Sequence, residues 1–178
     1  SNLRITDIEA IMCGPLPFTR VHTNQGITGL GENVVNHPET LRGNVELLKS
    51  ILVGEDPFNI EKLWIKMVQQ TSFVYMSSTI SAVDVALYDI KAKALGVPVY
   101  ELLGGLYRKH IRLYPHLKGT WNSFPDPNQA DLFSEPWGEI EYTPEQLGQH
   151  AKQLVDEGYT AMKFRIGTQW DWDGVTVE

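Results

Sequence analysis

A helix that stops directly against a strand constrains this 178-residue chain more than any other local pattern in it. Thr143-Pro144-Glu145-Gln146 has the spacing of a capping box, with proline at the first helical position. Leu147, Ala151, Leu154 and Val155 then fall on one face, and Gly158 supplies the stop. The next run, Tyr159-Thr160-Ala161-Met162-Lys163-Phe164-Arg165-Ile166-Gly167, reads as a strand. A helical crossover is how two parallel strands are joined, so Ile111-Arg112-Leu113-Tyr114 is expected as the earlier strand.

Two cations interrupt the second strand. Strand side chains alternate, so Lys163 and Arg165 share one face while Met162, Phe164 and Ile166 take the other. Enclosing two cations without an anion is costly, so this face should meet a carboxylate, a phosphate or a solvated cleft. Taken without context, the pair reads as a solvated strand end or as structural ion pairs.

The chain before Gly105 follows a different plan. Leu3 to Met12, Phe18 to Thr23 and Ile27 to Glu32 read as a three-stranded meander. Asn24-Gln25-Gly26 forms its second turn, with a left-handed residue at Gly26, and Cys13-Gly14-Pro15-Leu16-Pro17 is expected as an irregular loop. Three helical patterns follow. Pro38 opens the first, with Leu41, Val45, Leu48 and Leu52 aligned; Asp56 is expected to cap the second, with Pro57 at its first position and Ile60, Leu63, Trp64 and Met67 as its stripe. The third runs from about Thr79 to Leu95, turns Ile80, Val83, Leu87, Ile90 and Ala94 inward, and ends at Gly96.

Charge and composition exclude several functions. A net charge of −7 and a pI near 5.2 argue against nucleic acid as the main partner, and no basic stripe is present. The longest apolar runs are too short and interrupted to cross a bilayer, so a soluble cytoplasmic protein without a membrane partner is expected. One cysteine, Cys13, excludes an internal disulfide framework and a cysteine metal cluster. His22, His37, His110, His116 and His150 show no metal-ligand spacing, and His150 is expected in solvent. Asp84 and Asp89 are expected to cap or to pair with Lys91, Lys93 or Arg108 rather than to act as paired carboxylates. Gly29 and Gly31 lie in a hairpin, not before a helix, which argues against a nucleotide site. The stretch from Pro115 to Tyr142, with Trp121, Phe124, Phe133 and Trp137, is long enough to suggest a functional lid.

Val21 to Glu32 (VHTNQGITGLGE), Gly54 to Phe58 (GEDPF), Ser81 to Leu103 with Gly104-Gly105, and Lys163-Phe164-Arg165 occur in that order. Together they resemble the mandelate racemase and muconate-lactonizing group of the enolase superfamily. The resemblance implies an α+β capping domain over residues 1–105, a three-stranded antiparallel meander plus helices. It also implies the first βα units of an incomplete TIM (β/α)8 barrel over residues 106–178. Members of the group remove the proton α to a carboxylate and stabilise the enediolate with Mg²⁺. A small carboxylate substrate, in particular a sugar acid, is implied in the same way, and a homo-oligomer is expected because an open two-strand remnant would leave unpaired backbone and apolar surface.

Carried over position by position, Lys163 and Arg165 occupy the group's Lys-x-Lys site. Arginine at the second position departs from the pattern, because a guanidinium keeps its proton and is a poor general base. Arg165 suits carboxylate binding or electrostatic stabilisation, leaving proton abstraction to Lys163 or to a residue elsewhere. That favours a sugar-acid dehydratase over a racemase or epimerase needing two bases, or a cycloisomerase. Leu16 and His37 fall in the two loops that close over the site in relatives, and His116 follows the first barrel strand; all three are candidate substrate contacts. A complete barrel takes about 250 residues, so about two of eight βα units fit after Gly105. Family metal ligands come later than this, so no residue here is assigned to Mg²⁺, and the chain is expected to be an inactive fragment of a longer enzyme. A non-catalytic assembly protein that retains the capping domain is the competing reading, and an unrelated α+β protein clamping an anion with Lys163 and Arg165 is a third.

Overall fold

The computed structural model describes residues 1–14, 16–34, 37–71, 76–115 and 143–163. The chain divides into two compact units, Ser1–Tyr107 and Arg108–Glu178. In the first, β1 (Ile5–Cys13), β2 (Leu16–Thr23) and β3 (Thr28–Glu32) form an antiparallel sheet in the order β1-β2-β3. Gly26 adopts a φ of 76° in the second turn, as the sequence requires. The first connection is tighter than expected. Cys13 pairs with Leu16 and Gly14 takes a φ of 58°, so a hairpin replaces the irregular loop expected over Cys13 to Pro17. A left-handed glycine lets the chain reverse within two residues.

Alternation sets the buried face of the sheet. Pro17, Thr19, Val21 and Thr23 of β2 are buried, and Phe18, Arg20 and His22 between them are half-exposed. Helix α1 (Pro38–Leu52) buries Leu41, Val45, Leu48, Ile51 and Leu52, matching the expected stripe. Helix α2 (Ile60–Gln70) starts later than expected. Asp56 Oδ1 accepts the Phe58 N–H at 2.9 Å and the Asp56 carbonyl accepts from Asn59 at 3.2 Å, so Asp56 closes a turn and Asn59 is the residue before the helix. Ile60, Leu63 and Met67 are buried, but Trp64 is 44% exposed and does not belong to the stripe.

Helix α3 (Ser77–Leu95) presents two faces to the interior, and Gly96 ends it at a φ of 68°. Ile80, Val83, Leu87 and Ile90 are buried in the shared apolar core with residues from α1, α2 and the sheet. Ala94 is only half-buried, so it is not one of the inward residues. Ala82 and Ala86 lie on the β3 side. A Cβ added at Gly31 would sit 1.9 Å from the Ala82 carbonyl oxygen, and one added at Gly29 would sit 2.0 Å from that of Ala86. The two glycines therefore let helix backbone rest directly on strand backbone. Short α4 (Val99–Leu102) completes the unit.

In the second unit, α5 (Pro144–Asp156) starts as expected. The Thr143 hydroxyl accepts the Gln146 N–H at 3.3 Å and the Gln146 side chain accepts the Thr143 N–H at 2.9 Å, a closed capping box. Leu154 is buried, but Val155 is 57% exposed, which removes it from the packing face. His150 is half-buried, not fully solvated. Ile111-Arg112-Leu113-Tyr114 does not form the expected strand; its residues carry no assigned secondary structure and are exposed. Only one bridge is made here among the described residues: the Lys163 N–H donates to the Pro115 carbonyl at 2.9 Å. Proline has no N–H to return, so the ladder cannot continue through Pro115.

Candidate active-site segments

Lys163 is the one residue of the cation pair within the described structure, and Arg165 and His116 lie outside it, as do Phe164 and the aromatic stretch after Pro115. Lys163 is exposed, and Ala161 and Met162 before it are half-buried. No carboxylate among the described residues lies in ion-pair range of Lys163. Arg112, which the sequence did not single out, bonds the segment just before Lys163. Arg112 donates from Nε to Thr160 Oγ1 at 2.9 Å and from Nη2 to the Thr160 carbonyl.

Leu16 opens β2 opposite Cys13, half-buried at the hairpin. The Asn33 N–H donates to the Pro17 carbonyl at 2.8 Å, so the chain leaving β3 is tied to the same end of the sheet as that hairpin. Leu16 and Asn33 thus share one end of the sheet. His37 is also structural, because its Nδ1 accepts the Thr40 N–H at 3.4 Å and caps α1.

Several of the other charged groups are paired. Asp89 accepts the Leu30 N–H at 3.1 Å and Lys93 Nζ at 2.6 Å, and Lys93 also reaches the Thr28 carbonyl at 2.8 Å, so α3 covers the free edge of β3. Burial alone would raise the Asp56 carboxyl, but the Ser1 ammonium and hydroxyl and the Phe58 N–H hold it down at about 2. Glu55 is lowered by Lys66 and then Lys62. Asp84 departs from the expected cation pairing: burial, and then the Glu61 charge, raises its carboxyl. Among the described residues no three His, Cys, Asp or Glu side chains converge, so nothing there fits a metal ion. None of the described helices is long and apolar enough to cross a membrane.

Residues 8–104 match the family model for the mandelate racemase / muconate lactonizing enzyme N-terminal domain. A D-galactonate dehydratase of Verminephrobacter eiseniae is 45% identical over 123 residues, which cover 66% of this chain and 32% of that enzyme. A D-xylonate dehydratase of Haloferax volcanii is 32% identical over 171 residues, covering 91% and 36%. Among solved structures, a member of the enolase superfamily from Salmonella typhimurium superposes with a TM-score of 0.67 at 32% identity, covering 91% of this chain and 42% of that one. An enolase from Agrobacterium radiobacter, solved with bound sodium and L-malate, gives a TM-score of 0.60 at 31% identity, covering 66% and 32%.

The chain belongs to the mandelate racemase and muconate-lactonizing group of the enolase superfamily, as an N-terminal portion containing its capping domain. It spans about a third of the length of the curated relatives it matches, 32% and 36% in these two cases.

Proposed function

We propose that this chain supplies the capping domain and the first barrel segments of a sugar-acid dehydratase. The observation that carries the reading is the similarity to D-galactonate and D-xylonate dehydratases, which in the second case covers 91% of the chain and so runs well beyond the capping domain. Loss of the proton α to the carboxylate gives an enediolate; the β-hydroxyl then leaves with a proton as water to give an enol, which takes a proton at C3 to become the 2-keto-3-deoxy acid. Lys163 Nζ exchanges the α proton or holds positive charge against the enediolate, and the Arg165 guanidinium binds the substrate carboxylate through its two-pronged fork. The loops of Leu16 and His37 contact the polyol end, His116 the carboxylate end. An Mg²⁺ of the kind this group uses would be held by residues other than the described ones.

The test is formation of 2-keto-3-deoxy acid from D-galactonate and D-xylonate by the polypeptide that completes the barrel, with the 178-residue chain run beside it. Turnover only by the complete form, lowered about 100-fold or more by Lys163→Met, is the expected result. Turnover that is indifferent to Lys163 would remove the assignment.

A further inference from the structure

Two contacts join the segment before Pro115 to the segment before Lys163, and they share one register. Arg112 bonds Thr160, and the Lys163 N–H bonds the Pro115 carbonyl; in both pairs the partners are 48 positions apart. The equal offset is what two segments running the same way would give. The pair is nonetheless sparse, because Ile111 to Tyr114 carries no assigned secondary structure and Pro115 has no N–H. Among the described residues one backbone bond joins the two segments, and slippage by one residue would turn every side chain of a strand to the opposite face.

We infer that Arg112 is a positioning residue for Lys163: its guanidinium fork fixes the register of the strand that carries the lysine. The fork holds two acceptors of one residue at once, the hydroxyl and the carbonyl of Thr160. A slipped strand would offer Tyr159 or Ala161 at that point, neither of which has a hydroxyl on Cβ, so the two-pronged bond reads Thr160 and no neighbour. Fixing Thr160 then decides which amide meets the Pro115 carbonyl three residues on, and hence which face receives the lysine. A lysine in place of Arg112 keeps the charge but lacks the planar fork. The catalytic part of this inference rests on the role proposed for Lys163; the register part does not.

Amide hydrogen exchange by NMR on the 178-residue chain tests it. The Tyr159 N–H, bonded to the Leu154 carbonyl at 3.0 Å, is an internal control for an intact α5. Arg112→Ala is expected to speed Lys163 exchange about tenfold or more while leaving Tyr159 unchanged. Arg112→Lys should not restore protection, and Thr160→Val, which removes only the hydroxyl acceptor, should give a smaller change in the same direction. Equal loss at Tyr159 and Lys163 would make Arg112 merely structural and overturn the inference. So would unchanged exchange at Lys163, or a Lys163 amide already unprotected in the parent chain. If the exchange result holds but Lys163→Met still dehydrates sugar acids, the register assignment stands and the proposed function fails.

Discussion

Ile5, Ile8, Leu48, Leu63, Leu87 and Ile90 are enclosed within the first unit, whereas in the described part of the second unit only Leu154 is buried among the apolar residues. The first unit is specified by shape: three helices and a sheet share one core, and α3 lies against β3 so closely that only glycine fits beneath it. The described second unit is specified by polar detail, namely a capping box, an arginine fork and one backbone bond to a proline carbonyl. A packed core fixes a fold through many small contacts, so it tolerates the loss of any polar pair but not an added atom at its tightest point. A segment with little core relies on a few directional bonds, each of which matters locally.

The strongest way to break this contrast is to add a side chain to the β3 contact. Gly31→Ala, placing a methyl 1.9 Å from the Ala82 carbonyl oxygen, should destabilise the first unit by about 3 kcal/mol or more in urea unfolding. Leu87→Ala should cost a comparable or slightly smaller amount, about 2–5 kcal/mol, through an unfilled cavity. Thr143→Ala should cost about 1 kcal/mol of α5 stability, seen as faster α5 amide exchange with the urea midpoint of the first unit unmoved. An equal shift in both units would show that they unfold as one and would break the comparison.

Acid sharpens it further. Asp56, at about 2, and Glu55 have folded values below their ordinary ones, so their contribution is complete above the ordinary carboxylate range. It is lost as pH falls through the folded values, and Tm of the first unit should drop between about pH 4 and 2. Asp84 has the opposite sign: its charged form is disfavoured in the folded chain, so Asp84→Asn should raise Tm slightly at pH 7. The smallest effect is expected at Thr19, whose buried Oγ1 has no hydrogen-bond partner among the described residues. Thr19→Val should leave Tm unchanged or a little higher.

Much of the first unit was legible because its signals are periodic or conformational. The α1 stripe, the Gly26 turn and the Gly96 stop follow from residue spacing and from backbone freedom. Asp56 misled because Asp-Pro opens a turn as readily as a helix, and the N-terminal ammonium competes for its carboxylate. Gly29 and Gly31 could be read only as permissive residues; that α3 would press on them depends on tertiary packing. In the second unit the capping box was visible, since both partners lie within four residues. The Arg112 and Thr160 pair was not, because its partners are 48 residues apart and the apolar alternation of Ile111 to Tyr114 suggested a strand instead. Lys163 stood out as a cation in an apolar run, but nothing local showed what holds it in place.

The role proposed for Lys163, as the working residue of a dehydratase, is the central claim. Formation of 2-keto-3-deoxy acid from D-galactonate, compared between the complete-barrel polypeptide and its Lys163→Met and Thr143→Ala variants, tests that role most directly. We predict a loss of about 100-fold or more for Lys163→Met and less than about threefold for Thr143→Ala. Unaltered turnover in Lys163→Met, or no dehydration of any sugar acid by the unsubstituted polypeptide, would contradict it.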